Sequence, residues 1–216
     1  MNEDPIAILD KLYSAVVADV LDGMGYRHRC LSADVQALTP NQKVCGRVFT
    51  AKAQPVNEIP DEPYKLEMEA IDTMQAGDVL VVDADGNRES AFWGELLSTA
   101  CLAKGVRGAV MNTCCRDLWA LSQMEFPVFG TGKTPADSKG RIDVVSIKET
   151  IVMNEVVINT GDYVLGDMDG VVIIPEDAAE EALKLAYEKV TGENTVREEL
   201  RAGVPVAEVF RKHGIL

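Results

Sequence analysis

The amino-acid sequence predicts a mixed α/β protein with a layered core. Three observations point there. Helical and strand patterns alternate up to residue 129, short strands joined by turns follow beyond residue 140, and helix returns from residue 177. Such a mixture buries one face of each element against a neighbouring layer.

The elements follow in order. Ile8, Leu9, Leu12, Val16, Val20 and Leu21 recur at helical spacing and predict a helix over 5–24, with Asp4 as its N-cap, Pro5 in its first position and Gly25 ending it. Residues 44–53 read as a strand, and Gly77-Asp78 opens a second, continuously apolar one over 79–83. An amphipathic helix is expected over 90–104, closed by Gly105, then a strand over 106–111, a short helix over 116–123 and a short strand over 127–129. Strands over 142–147, 156–158, 163–165 and 171–174 lead to a helix over 177–190. The tail carries two further helical stretches split by Gly203-Val204-Pro205. Residues 76–86 and 160–170 echo one another as turn, strand and acidic turn, which shared turn chemistry explains more simply than a duplicated unit.

With 216 residues the chain suits one domain, expected over 1–190, and a helical tail over 191–216 that packs on it or on a neighbouring subunit. The formal net charge of -14 repels phosphate backbones, so nucleic acid is not an expected partner. No apolar run has the length of a membrane span and the first residues are unlike a signal peptide, so the cytoplasm is the expected location and no membrane partner is expected. Cys30, Cys45, Cys101, Cys114 and Cys115 are odd in number and lack CxxC spacing, against structural zinc or a disulfide framework. Buried thiols are the simpler account, with reactivity open at Cys114 and Cys115. His28 and His213 have no ligand partner by spacing and read as structural or surface residues.

Chemistry concentrates in two stretches. Gly94-Glu95-Leu96-Leu97 is expected near the start of a helix, where amide groups lack helical partners and can donate to an anionic oxygen. Arg116-Asp117 follows the C-terminal end of a strand, where open α/β sheets bind ligands. Asp117 offers a hard oxygen to magnesium or manganese, Arg116 a fork for a carboxylate or a developing enolate, and Glu95 a group that moves a proton. An Arg-Asp pair is by itself more often a solvated turn or a helix-start salt bridge. Lys133 and Arg141 could line an anion site or belong to a solvated loop.

The run 91–100, the stretch 105–110 and Arg116-Asp117 together resemble the RraA-like family, which includes the class II 4-hydroxy-4-methyl-2-oxoglutarate / 4-carboxy-4-hydroxy-2-oxoadipate aldolases. Glu95 with Arg116 and Asp117 keeps the family's spacing of an acidic residue, twenty residues, then Arg-Asp. Further matches lie at 14–25, Cys45-Gly46, 76–79, 161–172 and Arg201-Ala202-Gly203. The resemblance implies a compact layered αββα (swivelling β/β/α-like) domain assembling as a homotrimer or a dimer of trimers.

By the same resemblance Asp117 binds a divalent metal, magnesium or manganese. Arg116 holds the pyruvyl part of the substrate and stabilises its enolate, with the Leu96 and Leu97 amides and Gly94 beside it. Glu95 acts through a water on the metal, and Glu193, Glu198 or Glu199 of a neighbouring subunit joins that water shell. The implied reaction is retro-aldol cleavage of a 4-hydroxy-2-oxo acid to pyruvate and a second carbonyl product, with oxaloacetate decarboxylation as a side activity. The sequence departs from the family's pattern at Asn112-Thr113-Cys114-Cys115, where small residues are usual, and at Glu95, where Asp is usual. The family also implies an alternative, a non-enzymatic regulator that binds a ribonuclease, which the acidic surface suits. No glycine-rich nucleotide loop follows an early strand, so a methyltransferase is not expected.

Overall fold

A computed structural model describes residues 4–39 and 43–214. The chain opens with α1 (Pro5–Leu9) and α2 (Ser14–Gly23), then β1 (Gln36–Ala37), the long β2 (Val44–Pro55), α3 (Lys65–Thr73) and β3 (Asp78–Asp83). The central part holds β4 (Ala91–Trp93), α4 (Glu95–Ala103), β5 (Gly108–Met111), β6 (Cys114–Cys115), α5 (Leu118–Leu121), β7 (Val128–Gly130) and β8 (Gly132–Lys133). The last part holds β9 (Ile142–Ile147), β10 (Ile151–Met153), β11 (Val156–Ile158), β12 (Tyr163–Asp167), β13 (Gly170–Ile174), α6 (Glu176–Arg201) and α7 (Val206–His213).

The main sheet runs β1-β7-β5-β3-β2-β12-β13, with β9 added along the far half of β2. The strands β2, β3, β5 and β7 are parallel, while β12 and β9 pair with β2 antiparallel. A separate parallel sheet of three short strands, β4-β6-β8, stands beside it.

Period-two alternation sorts the core. Along β3, Leu80 and Val82 face a layer built by α3, α4, α5 and the aromatic pair Phe92–Trp93, whereas Val79 and Val81 face the β10–β11 hairpin. Helices α1, α2 and α6 cover the antiparallel end of the sheet over Cys45, Leu165, Val172 and Ile174. The mixed α/β layered architecture with a helical C-terminal region is as the sequence predicts. No described helix is long and apolar enough to cross a membrane.

Several expected elements change. The helix over 5–24 is two helices, because Lys43 Nζ reaches in at the break and donates to the carbonyls of Leu9, Asp10 and Leu12. Asp167 then starts α2, taking hydrogen bonds from the Ser14 amide (2.7 Å) and hydroxyl (2.6 Å). Residues 91–93, expected as the first turn of a helix, form β4 instead, since the Ala91 amide donates to the Ala136 carbonyl (2.8 Å) and the strand pairs with β6. Helix α3 is an element that the sequence pattern did not announce. Residues 177–190 belong to a single 26-residue helix reaching Arg201, so the expected division after residue 190 falls inside α6.

The echo between 76–86 and 160–170 is shared turn chemistry. Gly77 (φ +93°) and Gly161 (φ +105°) take the left-handed region, and the carboxylates of Asp78 and Asp162 accept the amides of Gln75 (2.8 Å) and Asn159 (2.9 Å). The strands that follow flank β2 in opposite directions.

Candidate active site

A cleft of about 320 Å³ opens between α3, the start of α4, the ends of β4 and β6, and the loop around Asp137. Its floor is held by Trp93, buried and stacked between Phe92 and Phe126 with ring centroids 6.3 and 6.2 Å away. Trp93 Nε1 donates to Ser98 Oγ (2.8 Å), and Ser98 Oγ donates to the Gly94 carbonyl (2.9 Å). This pair ties β4 to the first turn of α4. That turn presents the Leu96 and Leu97 amides, for which no intrahelical carbonyl exists, and both residues line the cleft.

Arg116-Asp117 approaches from the next strand. The Arg116 amide donates to the Trp93 carbonyl (2.9 Å), fixing the turn against β4. Asp117 adopts the left-handed region (φ +58°), a conformation that costs a non-glycine residue on the order of 1 kcal/mol and persists where surrounding contacts impose it. Here its Oδ2 accepts the Glu95 amide (3.3 Å) and lies 3.8 Å from Arg116 Nε. Arg116 Nη1 stands 3.2 Å from Asp137 Oδ1, and Asp137 Oδ2 accepts from Tyr64 Oη (3.0 Å). Tyr64, Asp137, Arg116 and Asp117 therefore form one continuous polar chain across the cleft. Burial, then the hydrogen bond to Asp137, raises the Tyr64 phenol above its usual range.

Glu67 completes the far wall. It is 5% exposed on α3, and burial pushes its carboxyl up to about 8, reinforced by the charges of Asp143 and Asp137 and offset in part by Arg116. The group is mostly neutral at pH 7, able to donate and to accept.

Of the residues singled out in the sequence, Gly94, Leu96, Leu97, Arg116 and Asp117 all line this cleft. Glu95 adjoins it through its amide, but its Oε1 accepts from Thr99 Oγ1 (3.0 Å) and its side chain is not part of the lining. Lys133 is exposed and outside the cleft. Arg141 is exposed too, with Nη1 donating to the Asp137 carbonyl (2.9 Å). His28 is exposed, and His213 Nε2 stands 3.1 Å from Glu199. Cys114 and Cys115 are buried, and burial raises both thiols, Cys115 up to about 12.

Among the C-terminal glutamates, Glu193 accepts from Tyr13 Oη, Glu199 pairs with Lys212 and His213, and Glu198 is exposed. Tyr64, Glu67 and Asp137 are site residues that sequence reasoning missed. One signal was available, since Glu67 shares helical spacing with Ile71 and Met74 and so puts an acid on an apolar face.

The donor chemistry fits magnesium or manganese. Among the described residues no cluster of three His, Cys, Asp or Glu could cage a metal. A single partly exposed carboxylate such as Asp117 suits an ion that keeps several waters and borrows oxygens from its substrate.

Residues 14–173 match the family model RraA-like, described as Aldolase/RraA. The protein DlpA of Legionella pneumophila is 28% identical over 183 residues, a match that takes in 82% of this chain and only 29% of that one. A protein of Halalkalibacterium halodurans named "Putative 4-hydroxy-4-methyl-2-oxoglutarate aldolase" is 30% identical over 173 residues, 80% of this chain and 77% of its own. A solved structure from Streptomyces coelicolor, described as an unusual member of the RNase ES inhibitor RraA protein family, superposes with a TM-score of 0.82 at 28% identity, covering 90% of this chain and 96% of that one. With the family model matched over most of its length, and with Gly94 through Leu97 and Arg116-Asp117 sharing one cleft, the chain belongs to the RraA-like family.

Proposed function

We propose that this chain is a lyase, dependent on magnesium or manganese, that cleaves a 4-hydroxy-2-oxo acid to pyruvate and a second carbonyl product. Oxaloacetate decarboxylation, which leaves the same enolate, is its side activity. The observation that carries this reading is the convergence of Arg116, Asp117 and the free amides of Leu96 and Leu97 on one cleft. A fork-shaped cation, a hard oxygen ligand and two N–H donors are what the carboxylate and oxo group of a 2-oxo acid require.

In the reaction, Arg116 pairs with the substrate carboxylate and supports the negative charge that grows on the C2 oxygen. The Leu96 and Leu97 amides orient the same group. Asp117 holds the divalent ion, which when bound supplies Lewis-acid polarisation of the oxo group. The C4 hydroxyl proton passes to Glu95 through a water. The C3–C4 bond breaks with its electrons flowing to the enolate, and a proton returned to C3 yields pyruvate. In the cell the reading is of a cytoplasmic homotrimer or dimer of trimers. Glu198, exposed and apart from the Glu193 and Glu199 pairings, is the C-terminal acid available to a neighbouring subunit's site.

The test is magnesium-dependent pyruvate release from a panel of 4-hydroxy-2-oxo acids and oxaloacetate, comparing the native protein with Arg116→Ala. Activity that needs the metal and collapses in the variant supports the lyase. If the metal-loaded native protein releases no pyruvate from any of them, the reading fails. A second reading, a ribonuclease-binding regulator, has support from the description of the Streptomyces coelicolor relative and from the net charge of -14, which suits a basic partner. A native protein without lyase activity that slows RNA cleavage by a ribonuclease would move that reading to first place.

A further inference from the structure

We infer that Glu67 is the acid that returns a proton to C3 of the pyruvate enolate, and is thus a further catalytic residue of this cleft. The inference deepens the lyase reading and rests on it, because the cleaved enolate becomes pyruvate only when C3 is protonated. Glu67 shares the buried face of α3 with Ala70 and Ile71, is 5% exposed, and still lines the cleft. Among the described residues its carboxyl has no hydrogen-bond partner. A buried polar group without a partner is costly, and the cleft is the side from which one can come. These features lie within one chain, and a neighbouring subunit across the cleft mouth would only deepen the burial.

A pyruvyl group whose carboxylate pairs with Arg116, and whose C2 oxygen lies toward Asp117 and the Leu96 and Leu97 amides, has C3 as its remaining corner. Glu67 closes the other wall, near enough to Arg116 for that charge to act on its carboxyl. The other protic groups are committed. Asp137 is engaged by Arg116 and Tyr64, the Tyr64 hydroxyl donates to Asp137, and the Glu95 side chain turns to Thr99. Helix α3 packs on β9 and α4. The charges acting on Glu67 are Asp143 from β9, Asp137 from its loop and Arg116 from beyond β6, with the Tyr64 phenol ahead of the helix and no charge from α4. Burial, with the two aspartates, pushes the carboxyl up to about 8, and a general acid is most effective with such a value near the operating pH. In the step the Glu67 O–H bond breaks and its proton takes the π electrons of the enolate to form C3–H, while C2–O becomes a carbonyl again. Glu67 is left as a carboxylate, which a proton from water restores.

The test is exchange of the pyruvate methyl protons in deuterium oxide, the same proton transfer run in reverse, followed by proton NMR in the presence of magnesium. The native protein is compared with Glu67→Gln, which keeps the neutral shape. Native exchange should rise with pH and level off above about 8, where Glu67 is a carboxylate able to take the proton. In Glu67→Gln exchange should fall by about a hundredfold or more and lose that inflection, the size of a general acid–base contribution. Carbon dioxide release from oxaloacetate breaks its bond before the proton arrives, so it should fall by about tenfold less than exchange does. Pyruvate affinity, read by tryptophan fluorescence because Trp93 lines the cleft, should fall less than either. Exchange in Glu67→Gln within about tenfold of native, or an equal loss of exchange, decarboxylation and affinity, overturns the inference and leaves Glu67 a structural or binding group. Native protein that releases pyruvate from an oxo acid yet exchanges no methyl protons overturns the role of Glu67 alone. If the native protein does neither, the lyase reading falls and takes this inference with it.

Discussion

Asp117 Oδ2 occupies the space that a side chain at Gly94 would need. A Cβ at residue 94 would stand 2.6 Å from that oxygen and 3.3 Å from Arg116 Cγ. The Gly94 backbone is extended (φ -163°), so space, and not conformation, demands glycine. Gly94→Ala is therefore expected to push the Asp117 carboxylate off its position on the Glu95 amide. A displacement of that size costs about a hundredfold in turnover. Metal-dependent pyruvate release and magnesium-induced thermal stabilisation should fall together, with far-UV circular dichroism unchanged. Full activity in the variant would show that Asp117 has room to adjust.

Arg116 is held at both ends, by Asp117 through Nε and by Asp137 through Nη1. Lysine keeps the charge but cannot span two carboxylates and still offer a fork to substrate. Arg116→Lys is expected to lose about tenfold to a hundredfold in kcat/KM, and Arg116→Ala on the order of a thousandfold, the range seen when a donor to a developing oxyanion is removed. Steady-state kinetics on the best substrate of the panel decides it. Lysine that restores most of the activity would reduce the role of Arg116 to that of a point charge.

How much of this site could be read in the sequence follows from distance along the chain. Gly94 to Leu97 and Arg116-Asp117 are short runs whose own spacing announces them, and the cleft forms where they meet. Tyr64, Glu67 and Asp137 reach the same cleft from a helix and a loop that no short run connects to it. The first-turn position of Glu95 was legible only approximately. A three-residue apolar stretch, Ala91 to Trp93, has no period of its own, and pairing with Cys114-Cys115 decides that it is strand. The split between α1 and α2 was hidden for a similar reason, because its caps come from Lys43 and from Asp167, far along the chain.

The cysteines make a separate expectation. Cys45, Cys101 and Cys115 are buried with thiols pushed up to about 11, 12 and 12, and burial raises Cys114 as well. Burial is the first cause in each case, and the thiolate is the reactive form. Cys30 is exposed. Titration with a thiol-reactive disulfide at pH 8 should modify Cys30 first, with the other four reacting only on unfolding. Rapid modification of Cys114 or Cys115 in the folded protein, located by peptide mass mapping, would contradict this and reopen a redox role beside Arg116.

Glu67 couples stability to pH in a direction that can be worked out in advance. Its folded-state value is raised from 4.5 to about 8, so between those values the folded protein holds a proton that the unfolded chain has released. Stability from this group is fully present below about pH 4.5 and is lost as pH rises through about 8. Glu67→Gln keeps the neutral shape and removes the titration. The variant should come close to the native protein near pH 5 and exceed it above pH 8 by roughly 5 kcal/mol, since each tenfold change in proton affinity is worth about 1.4 kcal/mol. Urea melts at pH 5, 7 and 9 check it. A constant difference across the three would mean that Glu67 ionises at its ordinary value, and the uncharged far wall of the cleft would lose its support.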